Sequence, residues 1–225
     1  LNAKGDRKGA LDWFKKACQC GGCRTNTRIS YAYLLLKEGR VEESESILTG
    51  LAALKDLTEQ ERISVKSNIA LLLWRKGDLD GAIRLEREVY DVYKNSTVYG
   101  TLGYFLIQKG DLESALKFNL EAYDFNSTDK IILDNLGQNY YLIGNIDKAE
   151  EIYGELFKLE PRFPECYYTY GKVLLARGDK EGAVHSMRKA LTHSFSFLST
   201  ATREEIEKTI KEIEDDVERD DEERE

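Results

Sequence analysis

At 225 residues, 41% hydrophobic and 33% charged, the chain has room for one or two ordinary domains. Its longest apolar runs, Tyr31 to Leu36 and Ile69 to Trp74, fall far short of the roughly 18 residues needed to span a bilayer, so no membrane contact is expected of this segment. The net charge of −8 is carried by the stretch from Arg203 to Glu225, with thirteen acids and five bases; the other 28 acids and 28 bases cancel, leaving no basic footprint for a nucleic-acid backbone.

Along the chain, single glycines punctuate pairs of apolar-periodic runs: Gly5, Gly39, Gly77, Gly110, Gly144 and Gly178, at intervals of 34, 38, 33, 34 and 34. The runs between them have helical periodicity, which predicts helix-turn-helix units of constant length. Seven residues before each Gly stands a small residue, at Ala32, Ala70, Gly103, Gly137 and Gly171. Five after it stands another, at Ala10, Ser44, Ala82, Ala115, Ala149 and Ala183. Two antiparallel helices joined by a short turn approach closely only where no bulky side chain separates them. Large residues at Tyr31, Ile69, Leu102, Leu136 and Tyr170, and at Leu35, Leu73, Leu106, Tyr140 and Leu174, share a helical face with the small ones.

The first unit, residues 1–24, keeps its second helix from Arg7 to Cys18 and only the end of its first; an upstream segment is expected to have covered Trp13 and Phe14. Next stand Cys18, Cys20 and Cys23, three thiols without the fourth ligand a structural zinc needs, because Cys166, His185 and His193 lie too far along the chain. Packing at a helix end, with a disulfide or redox role as the alternative, is the expectation, and no metal or cofactor is assigned. Full units are expected over 25–62, 63–95, 96–129, 130–163 and 164–197. The longer second interval falls near Thr58 to Glu61, which has the form of a capping box. Asn95-Ser-Thr97 and Asn126-Ser-Thr-Asp129 read as helix caps in preference to glycosylation sequons. After a linker at Ser194 to Thr200, Ile206, Ile210, Ile213 and Val217 form one stripe, predicting a capping helix within 198–219 and an acidic tail over 220–225.

The stretch Leu136 to Pro161, LGQNYYLIGNIDKAEEIYGELFKLEP, resembles the core of a tetratricopeptide repeat, and the period and small-residue positions extend the resemblance over residues 1–197. Departures stand nine residues after the Gly, where Phe14, Leu48, Tyr153 and Met187 match the family's large apolar residue but Glu86 and Asn119 do not. The resemblance implies an all-α, right-handed α-solenoid of tandem repeats with a C-terminal capping helix. It further implies a concave groove lined by first helices, where Tyr33, Ser67, Leu71, Trp74, Tyr104, Ile107, Asp134, Gln138, Tyr141, Tyr168 and Lys172 would meet a ligand. Trp74 and Tyr141 read equally as core residues between neighbouring helices. The Lys, Asn and Arg clamp of the chaperone-tail subclass is lacking, since Ile29, Tyr33, Leu71, Gly100 and Tyr104 occupy the matching places.

Catalysis is not expected. The two histidines share one helix, no glycine run forms a phosphate cradle, and Asp78-Leu-Asp80-Gly81 lacks the remaining ligands of a calcium loop. The expected role is a non-enzymatic scaffold that binds a protein or peptide segment in its groove. A self-association module, homodimeric through its N-terminal repeat, and a regulatory domain of a larger membrane-anchored protein or enzyme are the alternatives. The expected location is cytoplasmic, with an anchor upstream of residue 1 left open.

Overall fold

A computed structural model describes residues 7–19 and 23–222; the expectations for Leu1, Gly5, Cys20, Gly21, Gly22 and the last three residues lie outside it. Among the described residues there are twelve α-helices and no strand. In order they are α1 (Arg7–Gln19), α2 (Thr25–Lys37), α3 (Val41–Ala52), α4 (Glu59–Arg75), α5 (Leu79–Val92), α6 (Ser96–Lys109), α7 (Leu112–Phe125), α8 (Lys130–Leu142), α9 (Ile146–Lys158), α10 (Pro164–Ala176), α11 (Lys180–Leu191) and α12 (Arg203–Glu222).

The hairpin turn is encoded by a dipeptide. Gly39, Gly77, Gly110, Gly144 and Gly178 all adopt positive φ, between 74° and 91°. At Gly77 this left-handed residue lets Asp78 N–H reach back to Leu73 O at 2.9 Å, closing α4 with a Schellman bond. The following residue then opens the next helix. Asp78 accepts from Gly81 N–H at 2.8 Å, Asp111 from Ser114 at 3.2 Å, Asn145 from Lys148 at 3.2 Å and Asp179 from Gly182 at 2.8 Å. Arg40 stands at the equivalent place in the first hairpin, makes no side-chain cap, and pairs instead with Glu43 at 2.6 Å. The longer interval is absorbed by α4 itself, which has 17 residues where the other first helices have 13 or 14, and which opens on a complete capping box of Thr58 and Glu61.

The chain divides into two compact units, with the boundary inside α6 after Phe105. The first unit holds α1 to α5, the start of α6 and the short segment Ser196–Leu198. Within it α2 pairs with α3 and α4 with α5, while α2 also touches α4, so that the first helices of neighbouring hairpins lie side by side. The second unit runs from Leu106 through α11 and from Ser199 through α12. There α8 pairs with α9 and α10 with α11, α8 touches α10, and α12 packs on α11.

The small residues stand at the closest approaches. Ala32, Ala70, Ser44, Ala82, Ala115, Ala149 and Ala183 are all fully buried. A Cβ on Gly137 would sit 2.8 Å from the Tyr153 ring, and one on Gly171 would sit 2.7 Å from Met187 Cγ and 3.1 Å from the Ala183 carbonyl. The residue nine after each turn Gly therefore fills the space that the small residue leaves. Glu86 and Asn119 occupy that same slot and are buried too, each at 0% exposure. Asn119 donates to Asn139 Oδ1 at 3.0 Å, and Asn139 donates on to Leu112 O at 3.0 Å. Glu86 Oε1 accepts from the Ser67 hydroxyl at 3.3 Å, and Oε2 has no hydrogen-bond partner. Burial pushes the Glu86 carboxyl up to about 7, against the lowering effect of Ser67.

The stripe on α12 packs as its spacing suggests. Ile206, Ile210 and Ile213 bury against Tyr168, Ala183, Met187 and Ala190, whereas Val217 stays 38% exposed. Ion pairs on this helix include Arg203 with Glu207 and Lys208 with Glu212, with the base preceding the acid.

Candidate peptide-binding surfaces

In the first unit, an aromatic and cationic surface lies on α2 and α4 and the start of α6. Trp74 meets Tyr104 edge to face, with centroids 5.4 Å apart, and Phe105 at 5.8 Å. Phe105 is buried, which anchors the group, while Trp74 and Tyr104 remain partly exposed. The guanidinium of Arg75 lies 5.0 Å from the Trp74 ring and 4.3 Å from the ring of Phe197. Its Nε is buried without a hydrogen-bond partner, and burial lowers its pKa. Lys37 Nζ stands 5.6 Å over the ring of Tyr33, which is 38% exposed. Leu71 packs on the buried cluster of Ala32, Leu36, Leu48 and Leu72.

The second unit presents a different chemistry. Tyr153 donates to Asp134 Oδ1 at 3.1 Å. Burial, and secondarily the nearby Glu165, push the Asp134 carboxyl up to about 7. Lys172 Nζ lies 4.0 Å over the ring of Tyr168, and burial lowers its pKa against the pull of Glu205. The Tyr168 hydroxyl donates to Glu205 on α12 at 3.2 Å and lies 3.2 Å from the Thr209 hydroxyl. In this repeat the capping helix therefore covers Tyr168, one of the residues that the repeat register assigns to the groove.

Two family models described as tetratricopeptide repeat match the chain, over residues 62–96 and 135–196. The chain is a tetratricopeptide repeat protein. No match to a curated protein was found by sequence. Among solved structures, a chain of the APC/C Cut9–Hcn1 hetero-tetramer superposes with a TM-score of 0.75 at 13% identity over 93% of this chain. This chain spans 40% of that one's length. TTC0263, a tetratricopeptide repeat protein of Thermus thermophilus, gives a TM-score of 0.68 at 17% identity, covering 84% of this chain and 98% of its own. YrrB, described as having an unusual peptide-binding site, gives 0.50 at 17% identity, covering 80% and 91%. At these identities the likeness is one of fold.

The eleven residues that the repeat register places in a groove divide between the units: Tyr33, Ser67, Leu71, Trp74 and Tyr104 in the first, Ile107, Asp134, Gln138, Tyr141, Tyr168 and Lys172 in the second. Ile107 is 3% and Tyr168 5% exposed, so each offers little surface. Ser67 is turned to Glu86, and Leu71, Trp74, Tyr104, Asp134, Gln138, Tyr141 and Lys172 are partly exposed. The register omits Arg75, Lys37 and Phe197. Lys37 and Arg75 both stand two residues before a turn Gly, a position the repeat pattern could have supplied; Phe197 has no repeat position to announce it.

Cys18 and Cys23 are half-buried with Sγ atoms 2.7 Å apart, and burial, then the Cys23 thiol, raise the Cys18 thiol to about 11. Cys166 is buried and donates to Phe163 O at 3.2 Å. Among the described residues no three His, Cys, Asp or Glu side chains come together as metal ligands, and no helix is long and apolar enough to cross a membrane.

Proposed function

We propose that this chain is a non-enzymatic protein-interaction scaffold whose first-helix surfaces bind a peptide or protein segment. The tetratricopeptide repeats support the scaffold role. The observation that carries the peptide reading is the Trp74–Tyr104 pair, propped on buried Phe105 and flanked by Arg75. Aromatic and Arg side chains held in place before binding lose little entropy when a ligand arrives, which is why they dominate interface energetics. Tyr33, Ser67 and Leu71 extend this surface in the first unit, and Asp134, Gln138, Tyr141 and Lys172 form its counterpart in the second. The peptide-binding site described for YrrB is in keeping with this use of the fold.

The test is selection of ligands from a displayed peptide library, followed by affinity measurement on Trp74→Ala and Tyr104→Ala variants with unchanged circular dichroism. Each is expected to weaken the selected peptide at least tenfold; unchanged binding in both refutes the assignment. Self-association is the second reading, favoured by Trp13, which is 60% exposed on α1. Concentration-dependent light scattering that disappears in Trp13→Ser would establish it, and a monomer at all concentrations would end it.

A further inference from the structure

The segment Ser196–Leu198 joins two regions in sequence, but it belongs to the first unit by its contacts. Phe197 N–H donates to the Lys37 carbonyl at the end of α2 at 2.8 Å. Its ring lies over Gly39, where a Cβ would be 3.5 Å from Phe197 Cδ2, and the Arg75 guanidinium stands 4.3 Å from its centroid. Phe197 and Leu198 pack with Leu71 against the cluster of Ala32, Leu36, Leu48 and Leu72. A short non-helical stretch thus makes a main-chain hydrogen bond, fills an apolar recess and stacks on a cation, the three contacts by which an extended peptide is held on a helical surface.

We infer that Ser196–Leu198 is a tethered ligand occupying a subsite built by Lys37, Gly39, Leu71 and Arg75, and that the partner is an extended peptide with a Phe-Leu pair that must displace it. The inference rests on the groove reading above and names the ligand chemistry of its first-unit end. Three features support it. Arg75 is held between Trp74 and Phe197, so the subsite continues directly into the aromatic pair. The buried Arg75 Nε, which lacks a hydrogen-bond partner, is a donor that an incoming carbonyl or carboxylate would satisfy and that the tether's ring does not. Gly39 is the turn residue under the ring, where a Cβ would meet the ring at van der Waals distance. Attachment through the chain sets the local concentration of Phe197 in the millimolar range, so a free peptide reaches the subsite only when it binds more tightly than the tether or brings further contacts along the groove.

The experiment uses fluorescein-labelled Ser-Phe-Ser-Phe-Leu-Ser-Thr, the sequence of residues 194–200, titrated with the full chain and read by anisotropy. The native chain is expected to bind it weakly, and the Phe197→Ser/Leu198→Ser variant at least tenfold more tightly. Arg75→Ala placed in that variant should return most of the gain, and a probe with both Phe residues replaced by Ser should not bind. Should the double variant lose its helical spectrum, Phe197→Leu keeps the apolar volume while removing the ring and is expected to gain about threefold. A folded double variant that binds the probe no better than the native chain overturns the inference, as does a gain that survives Arg75→Ala. Either failure leaves the groove reading to its own test, since ligands selected from the library and lost with Trp74→Ala or Tyr104→Ala do not depend on Phe197.

Discussion

Glu86 offers the sharpest test of the packing argument, because a carboxylate stands in a slot built for a large apolar side chain. Replacing it by Gln keeps the volume and the acceptor for the Ser67 hydroxyl, and removes the charge. In the folded chain burial raises the carboxyl from 4.5 to about 7. Between those values the native state holds a proton that the unfolded chain has released, so stability conferred by the neutral acid is complete below pH 4.5 and lost as the pH rises to about 7. At about 1.36 kcal/mol per pKa unit the ceiling is about 3 kcal/mol. Part of that is returned in the variant, since the Gln amide nitrogen takes the place of Oε2, which has no partner, and an unsatisfied donor costs about 1 kcal/mol or more. Glu86→Gln is therefore expected to be about 1–2 kcal/mol more stable than the native chain at pH 8 and equal to it or slightly weaker at pH 5. Urea unfolding followed at 222 nm across that range reads this as a midpoint gain of about 0.5–1 M at pH 8 alone. Asp134 titrates in the same window in both proteins and so cancels from the difference. A difference that is constant with pH, or no gain at pH 8, would refute the account of a charged group held in a dry slot.

Two glycines of the second unit should respond in opposite directions. Gly137→Ala drives a Cβ to 2.8 Å from a Tyr153 ring that is fully buried and cannot retreat, and is expected to cost about 1–3 kcal/mol. Gly154→Ala, in the middle of α9 with nothing within 4 Å of the new Cβ, is expected to add about 0.5–1 kcal/mol; thermal melts of the pair decide both. Asp78→Ala removes the acceptor for the Gly81 N–H and should cost about 1 kcal/mol by urea midpoint, whereas Asp78→Asn should cost little. Binding by the groove and its displacement of Phe197 are tested by the Trp74, Tyr104, Phe197 and Arg75 variants described above.

The register of Ala32, Ala70, Gly137 and Gly171 against the turn glycines was readable from residue order because each hairpin repeats the same local problem: a reversal that only glycine accommodates without strain, and a crossing that only small residues allow. The Asp or Asn after the turn Gly was equally present in the sequence, at Asp78, Asp111, Asn145 and Asp179, and its capping follows from chemistry acting within four residues. Glu86 and Asn119 were visible as departures from the repeat. That one would be a largely unpaired carboxyl and the other part of an amide chain to Asn139 depended on neighbours from other helices. Tyr168 and Ile107 had the right register for a ligand surface, yet Tyr168 is taken up by α12, a partner with no place in the repeat.

Local periodicity thus carried the helices, their turns and the family, since those rest on interactions between residues a few positions apart. The docking of Phe197 on Lys37, Gly39 and Arg75 belongs to another class: it joins residues with no common period and little local preference, through one main-chain hydrogen bond and one ring on one cation. Only packing in three dimensions brings such distant residues together, because the free energy that selects the contact is that of burying an aromatic surface wherever the folded chain leaves a recess to receive it.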